Sequence, residues 1–331
     1  MTEQISTKTN PREPLHPQVK ALFDDFEARR PAERVFDPVQ MRTETSAMIP
    51  FLTQGAPDVA REEEILIPGP AGDIRALLFA PDYATGEALP VLVYLHGGGW
   101  VLLSPDSHAR LTKQFAVGAG AIVVSVDYRL APENPYPAPL DDCVAAFRWV
   151  REKAASLGGD PARVSVGGDS AGGNLAAATT LRLLAAGEEP PSSVLMICPS
   201  TDLAMNTVSV QTFAPDDPII DNAFMEFCRG CYAPNSEQWS NPLLSPLHGD
   251  LSDFPPTCVV VGTIDPLCDD GVLFADKLKK AGRNAALLAY EGMPHVFMLF
   301  PGIDEGQRSI DEICAFLRSR LAERARAPID R

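Results

Sequence analysis

Gly168-Asp169-Ser170-Ala171-Gly172 stands between an apolar run, residues 164–166, and an Ala/Leu-rich stretch, residues 171–186. The pattern is G-x-S-x-G in a strand-then-helix context, which is how a nucleophile elbow reads. A serine on so sharp a turn projects its hydroxyl from the edge of a sheet. Glycines flank it because side chains there would collide with the neighbouring strand and helix. The helix that follows aims its unpaired N–H groups at the same spot. One pentapeptide thus predicts a nucleophile, Ser170, and an α/β architecture together.

Strand and helix patterns alternate on both sides of the elbow. Upstream, residues 64–67 and 74–79 flank Pro68-Gly69-Pro70-Ala71-Gly72-Asp73 and read as a strand pair joined by a turn. Residues 90–95 form a buried strand, 106–117 a helix, 121–126 a strand, and 140–157 a helix ended by Gly158-Gly159. Downstream come strands at 194–198, 258–261 and 285–290, with helices at 272–281 and 307–324. Several strands are apolar on both faces, which predicts a mostly parallel sheet covered on each side by helices.

The alternation stops at residues 199–257, rich in prolines and aromatics, with one helical patch at 221–232. This stretch reads as an inserted lid. Before the first strand, a polar tail over residues 1–17 leads into two helices. Val19, Leu22, Phe23 and Phe26 recur at helical spacing, and Asp37-Pro38 pairs an N-cap with proline at the first helical position. The expected organisation is a tail with cap helices over residues 1–55 and a catalytic domain over 56–331. A second cap segment is inserted in that domain at about residues 200–250.

Composition narrows the function. No apolar run reaches the roughly 18 to 20 residues that a membrane helix needs. The segment Met1 to Pro11 lacks the apolar stretch of a signal peptide, so a cytoplasmic location without a membrane partner is expected. A formal net charge of −16 offers no basic patch for nucleic acid. It reads as an ordinary acidic protein, or as adaptation to salt. Of seven cysteines, only Cys228 and Cys231 have C-x-x-C spacing, and no second ligand pair is spaced for zinc. Reduced thiols, no metal and no cofactor are expected.

A serine hydroxyl is a weak nucleophile until a base takes its proton, and the base needs a third group to orient it. In this architecture the chain order is serine, acid, histidine. Asp265 follows the apolar run 259–261, in Gly262-Thr263-Ile264-Asp265-Pro266-Leu267. His295 follows the strand ending at Tyr290, in Gly292-Met293-Pro294-His295. Both fall at C-terminal strand ends, where open α/β sheets place their sites. Asp269 and Asp270 are fallback acids expected to cap the helix beside them. His96-Gly97-Gly98-Gly99-Trp100 follows the strand at 91–95 and reads as one arm of an oxyanion hole, with the Ala171 N–H as the other. His96 reads as structural. A phosphate loop fits poorly, because no Gly-Lys-Ser/Thr follows either glycine cluster.

Four segments together resemble the hormone-sensitive lipase family of α/β-hydrolase esterases (bacterial family IV). They are His96-Gly97-Gly98-Gly99-Trp100, Asp127-Tyr128-Arg129-Leu130-Ala131-Pro132-Glu133, Gly168-Asp169-Ser170-Ala171-Gly172-Gly173-Asn174, and Asp265-Pro266-Leu267. The resemblance spans roughly residues 60–320 in both order and spacing. It implies a carboxylesterase of the α/β-hydrolase fold, with a mostly parallel eight-stranded sheet flanked by helices and a helical cap. It implies Ser170 as nucleophile, His295 as base, Asp265 as orienting acid, and Gly98, Gly99 and Ala171 as oxyanion donors. The Asp127 to Glu133 segment supports the site. Two departures stand out: Val296 where the family often has glycine, and Cys268-Asp269-Asp270 where it often has Arg-Asp-Glu.

The expected substrate is a small carboxylic ester with a short- to medium-chain acyl group. Trp100, Phe213, Phe224, Met225 and Phe227 are candidates to line its pocket. An amidase or peptidase of the same fold is the nearest rival, and a ligand-binding protein that has lost catalysis is a more distant one. The strand at 285–290 is a candidate edge for a homodimer.

Overall fold

In this computed structural model, residues 14–29, 34–82 and 88–324 are described; most of the polar tail lies outside them. The chain enters through three helices, α1 (Pro17–Arg29), α2 (Pro38–Ala47) and α3 (Ile49–Leu52). Asp37 caps α2 from an extended backbone, its carboxylate accepting the Gln40 N–H at 2.8 Å. Strands β1 (Arg61–Gly69) and β2 (Gly72–Ala80) form an antiparallel hairpin. Then follow β3 (Leu89–Leu95), α4 (Ala109–Ala119), β4 (Ile122–Val126), α5 (Ala138–Leu157), β5 (Gly159–Asp169), α6 (Ala171–Ala185) and β6 (Val194–Ile197). Helices α7 (Val208–Phe213) and α8 (Asn222–Tyr232) belong to the insert. The chain closes with β7 (Thr257–Gly262), α9 (Cys268–Lys280), β8 (Ala285–Tyr290) and α10 (Asp304–Arg324).

The eight strands make one sheet in the order β1-β2-β4-β3-β5-β6-β7-β8. Its β3 to β8 pairings are all parallel, and β2 runs against its neighbours. Strands β3, β4, β6 and β7 are buried along their whole length, as their continuous Val/Ile/Leu runs require. Alternate residues serve opposite faces. Val91, Val93 and Leu95 of β3 join a core with Phe147 of α5, Leu175 of α6 and Phe274 of α9. Leu92 and Tyr94 join the opposite core with Phe115 of α4 and Ile313 of α10. Each such side chain contributes about 1.5–3 kcal/mol of burial. Strand β8 is half-exposed and forms one edge of the sheet. No helix among the described residues is long and apolar enough to cross a membrane.

Several features differ from the sequence expectation. Three helices rather than two precede β1, because Pro50 falls in the first turn of a separate short helix, α3, and α10 begins at Asp304 rather than at 307. The insert carries a second helix, α7, whose six residues are too short for a periodicity signal. Thr207 caps it, and its Ser209 N–H is held by the Asp269 carboxylate at 2.9 Å. Helix α9 begins at Cys268 rather than at 272, because Asp269 and Asp270 lie inside its first turn.

Candidate active site

Strand β5 ends at Asp169, and the chain reverses sharply into α6 through Ser170, at φ 53° and ψ −119°. A non-glycine residue held at positive φ costs on the order of 1–3 kcal/mol, which the surroundings must enforce. They do so by close packing: a Cβ at either Gly168 or Gly172 would overlap the Leu95 carbonyl of β3. The Ser170 N–H donates to the Ile197 carbonyl at 2.8 Å. Buried Asn174, one turn into α6, donates to the Ser200 and Leu244 carbonyls, each at 2.8 Å, fixing the helix to the start and end of the insert.

Three loops at the C-terminal ends of β5, β7 and β8 bring Ser170, Asp265 and His295 together. His295 Nε2 lies 2.9 Å from Ser170 Oγ, and its Nδ1 lies 2.9 Å from Asp265 Oδ2. The carboxylate fixes the tautomer: Nδ1–H donates to Asp265, leaving Nε2 as acceptor toward the serine. Asp265 is fully buried, and its other oxygen accepts the Leu267 N–H at 2.8 Å. Burial by itself pushes the His295 pKa down, but the charge and hydrogen bond of Asp265 override it and hold the pKa above the usual value. Val296 sits in the left-handed region at φ 44°. That conformation is costly for a β-branched residue and natural for the glycine often found there. Its N–H meets Cys198 Sγ at 3.4 Å. Cys198, Asp265 and His295 offer ligand atoms within 4.8 Å of one another, but two of those atoms are hydrogen-bonded partners in the Asp265–His295 pair.

The glycine loop after β3 faces the same serine. Gly98 and Gly99 adopt φ of 110° and 62° and line the cavity at Ser170. The Ala171 N–H, at the first position of α6, has no intrahelical acceptor. Asp169 joins loop to elbow. Its carboxylate accepts from Tyr94 Oη at 2.7 Å and from the Gly97 N–H at 3.1 Å, and it pairs with His108 Nε2 at 3.2 Å. Burial raises the Asp169 pKa, yet His108 and Tyr94 bring it below the ordinary value, so it stays ionised. His96 stacks on Tyr128 with ring centroids 4.3 Å apart, and burial followed by the neighbouring His108 lowers its pKa to about 3. It is a neutral packing residue. The Asp127 to Glu133 segment is tied down at both ends: Arg129 clamps Asp142, and Arg42 of α2 forks onto Glu133 at 2.7–2.8 Å.

Over residues 92–299 the chain matches the family described as the alpha/beta hydrolase fold. The chain belongs to that family. Its motifs place it in the hormone-sensitive lipase branch, and it is a carboxylic ester hydrolase. It is 37% identical to carboxylesterase NlhH of Mycobacterium tuberculosis over 302 residues, covering 89% of this chain and 92% of that one. A hyperthermophilic esterase from the archaeon Pyrobaculum calidifontis superimposes with a TM-score of 0.89 at 36% identity, over 92% of this chain and 98% of that one. The thermophilic carboxylesterase EstE1, cloned from a metagenomic library, gives 0.83 at 35% identity, over 86% and 98%.

Within this α/β-hydrolase, the sequence-predicted pocket residues separate. Phe224 borders a cavity of about 250 Å³ that contains Ser170 and His295, walled by Met41, Met48 and Leu52 of the N-terminal helices. Trp100 and Met225 border only a smaller space on the Ala171 side. Phe213 and Phe227 line neither cavity. Phe213 is partly buried against the core that holds Leu92 and Tyr94, and Phe227 turns toward Phe36, with centroids 5.2 Å apart. An aromatic residue in a cap has two faces to choose from, and here the seam between cap segments claims Phe227. Arg34 beside the large cavity pairs with Asp221 across the same seam.

Asp269 and Asp270 do not cap α9, whose N-cap, Leu267, makes no side-chain bond. Asp269 holds α7, and buried Asp270 accepts the Thr201 and Asp202 N–H groups at 2.7 and 3.0 Å. Burial pushes the Asp270 pKa up to about 7. Sequence reasoning missed both Asp169 and Asp270 as site supports; the only available signal was an acid beside the nucleophile and one beside Asp265.

Proposed function

We propose that this carboxylesterase works through an acyl-enzyme on Ser170, with His295 as general base and acid and Asp265 as its orienting partner. The observation that carries the reading is one unbroken hydrogen-bond chain, Asp265 to His295 to Ser170, with both links at 2.9 Å. His295 takes the Ser170 proton as Oγ attacks the ester carbonyl. The N–H groups of Gly98, Gly99 and Ala171 hold the oxyanion. His295, now cationic, passes its proton to the departing alcohol. Water, deprotonated by the same imidazole, then releases the acid and regenerates Ser170. The substrates are small esters of short- to medium-chain acids, and the residues named supply every proton transfer.

The test is a rate series on p-nitrophenyl esters of increasing acyl length beside a matched p-nitroanilide. Rapid ester turnover with negligible anilide turnover is expected, and Ser170→Ala lowers kcat by about 10⁶. A Ser170→Ala enzyme that keeps a tenth of the wild-type rate overturns the nucleophile assignment. Comparable turnover of the anilide makes the protein an amidase.

A further inference from the structure

On the side of His295 away from Ser170 lies a thiol that the proposed reaction does not use. Cys198 follows β6 directly, in the left-handed region at φ 43°, with its N–H donating to the Val260 carbonyl at 2.7 Å. That turn delivers Sγ between two catalytic loops. Sγ accepts the Val296 N–H at 3.4 Å, and the thiol hydrogen is donated to the Asp265 side chain. Cys198 and Asp265 are fully buried, and His295 is nearly so.

A sulfur, a carboxylate oxygen and a ring nitrogen thus lie within 4.8 Å of one another. The nitrogen is Nδ1, 2.9 Å from Asp265 Oδ2, because Nε2 faces Ser170. Two hydrogens, one on sulfur and one on Nδ1, point at the same carboxylate. A single divalent cation can take the place of both. Zinc bonds are about 2.3 Å to sulfur and about 2.0–2.2 Å to nitrogen and oxygen. Tetrahedral ligands at those lengths stand about 3.3–3.6 Å apart. The Nδ1–Oδ2 pair then opens by about half an ångström, and the sulfur closes in.

The geometry points to an inhibitory metal site formed by Cys198 Sγ, the Asp265 carboxylate and His295 Nδ1, selective for zinc and cadmium over magnesium and calcium. Thiolate and imidazole ligands suit the first pair, whereas the second pair demands oxygen. Burial keeps the thiol protonated in the resting enzyme, so the cation must bond strongly to sulfur to displace that proton. The exchange balances. The thiol proton goes to solvent as the metal–sulfur bond forms. The ring proton leaves Nδ1 and is replaced by one on Nε2, so the imidazole stays neutral but now donates toward Ser170 instead of accepting. His295 can no longer take the serine proton, although Ser170 itself is untouched. The inhibition rests on the esterase reading above; the metal site does not.

Cadmium chloride and cobalt chloride are the probes. Cadmium is expected to lower ester turnover at least tenfold, reversibly with EDTA, while magnesium chloride has no effect. Cobalt(II) gives a sulfur-to-cobalt charge-transfer band in the wild type and equally in Ser170→Ala. Seven free cysteines could contribute to that band, so Cys198→Ser isolates the site. Its hydroxyl can still accept the Val296 N–H, yet it should lose the site's share of the band and need at least a hundredfold more cadmium for half-inhibition. Nitrogen-15 NMR of the wild-type imidazole needs no variant: cadmium moves the ring proton from Nδ1 to Nε2. Failure of cadmium to inhibit an active enzyme, equal inhibition of wild type and Cys198→Ser, or a ring proton that stays on Nδ1 overturns the site. A wild type that shows the cobalt band and the proton shift but hydrolyses no ester keeps the site and removes the esterase reading.

Discussion

At His295, two opposed effects meet in one imidazole: burial favours the neutral ring, and Asp265 favours the cation and prevails. A base must be neutral to act, so raising its pKa moves the acid limb of kcat/KM upward. The limb is expected above the ordinary histidine value of about 6.5. Asp265→Asn removes the attraction, shifts the limb to lower pH, and lowers kcat by about 10⁴. A pH–rate profile checks both, and a limb that stays in place contradicts the pairing. Asp270 makes a separate prediction about stability. Its folded pKa is about 7 and its ordinary value 3.8. Between those two pH values the unfolded carboxyl releases its proton while the folded one keeps it, so stability falls as pH rises. The loss amounts to about 4 kcal/mol at most. Asp270→Asn should therefore gain on the wild type from pH 4 to 7 and hold its advantage above that, as read by urea unfolding at several pH values. A constant difference between the two proteins contradicts a buried, protonated Asp270. Ser170, Asp265 and His295, which the structure brings within hydrogen-bond distance, could be singled out in the sequence because each follows its own strand in a fixed order. Asp169 and Asp270 could not, because their partners Gly97 and Thr201 lie 72 and 69 residues away, and only the folded sheet brings them near.

Among the elements, α2 is joined to the catalytic scaffold chiefly through Arg42. Its guanidinium donates to the Val101 carbonyl at 2.8 Å and to the Ala131 carbonyl at 2.7 Å, besides its fork onto Glu133. Helix α2 also supplies Met41 and Thr45 to the large cavity. Arg42→Met removes the donors and keeps much of the apolar stem, so α2 should loosen over the cavity without disturbing Ser170. KM is expected to rise severalfold with kcat within a factor of two, and limited proteolysis should cut earlier near α2. An equal fall in kcat with KM unchanged contradicts a positioning role for this helix. The sheet was readable element by element because strands buried on both faces are nearly continuous apolar runs. The insert was less so. A six-residue helix such as α7 gives no full period, and Phe227 in α8 carries the same hydrophobic signal whether it faces a substrate or, as here, Phe36.

Across the whole molecule, 44 acidic residues face 28 basic ones, a formal net charge of −16. Many ion pairs join exposed side chains and contribute little individually, so self-repulsion is the larger electrostatic effect. The screening length shortens from about 10 Å at 0.1 M salt to about 3 Å at 1 M. Raising sodium chloride from low to molar concentration should accordingly lift Tm by a few degrees in a thermal melt; a fall would mean that the ion pairs outweigh the repulsion. The global architecture was the most legible level of all, because the elbow, the glycine loop and the two late strand ends are local signals that one sheet order makes compatible. The proposal that joins these scales is covalent chemistry at one oxygen, Ser170 Oγ. Rapid quenching of the enzyme with p-nitrophenyl acetate, followed by intact-mass and peptide mass spectrometry, tests it most directly. The account predicts one acetyl group per chain, on the peptide containing Ser170, absent from Ser170→Ala; ester turnover with no acetyl on Ser170, or with the acetyl on another residue, would contradict it.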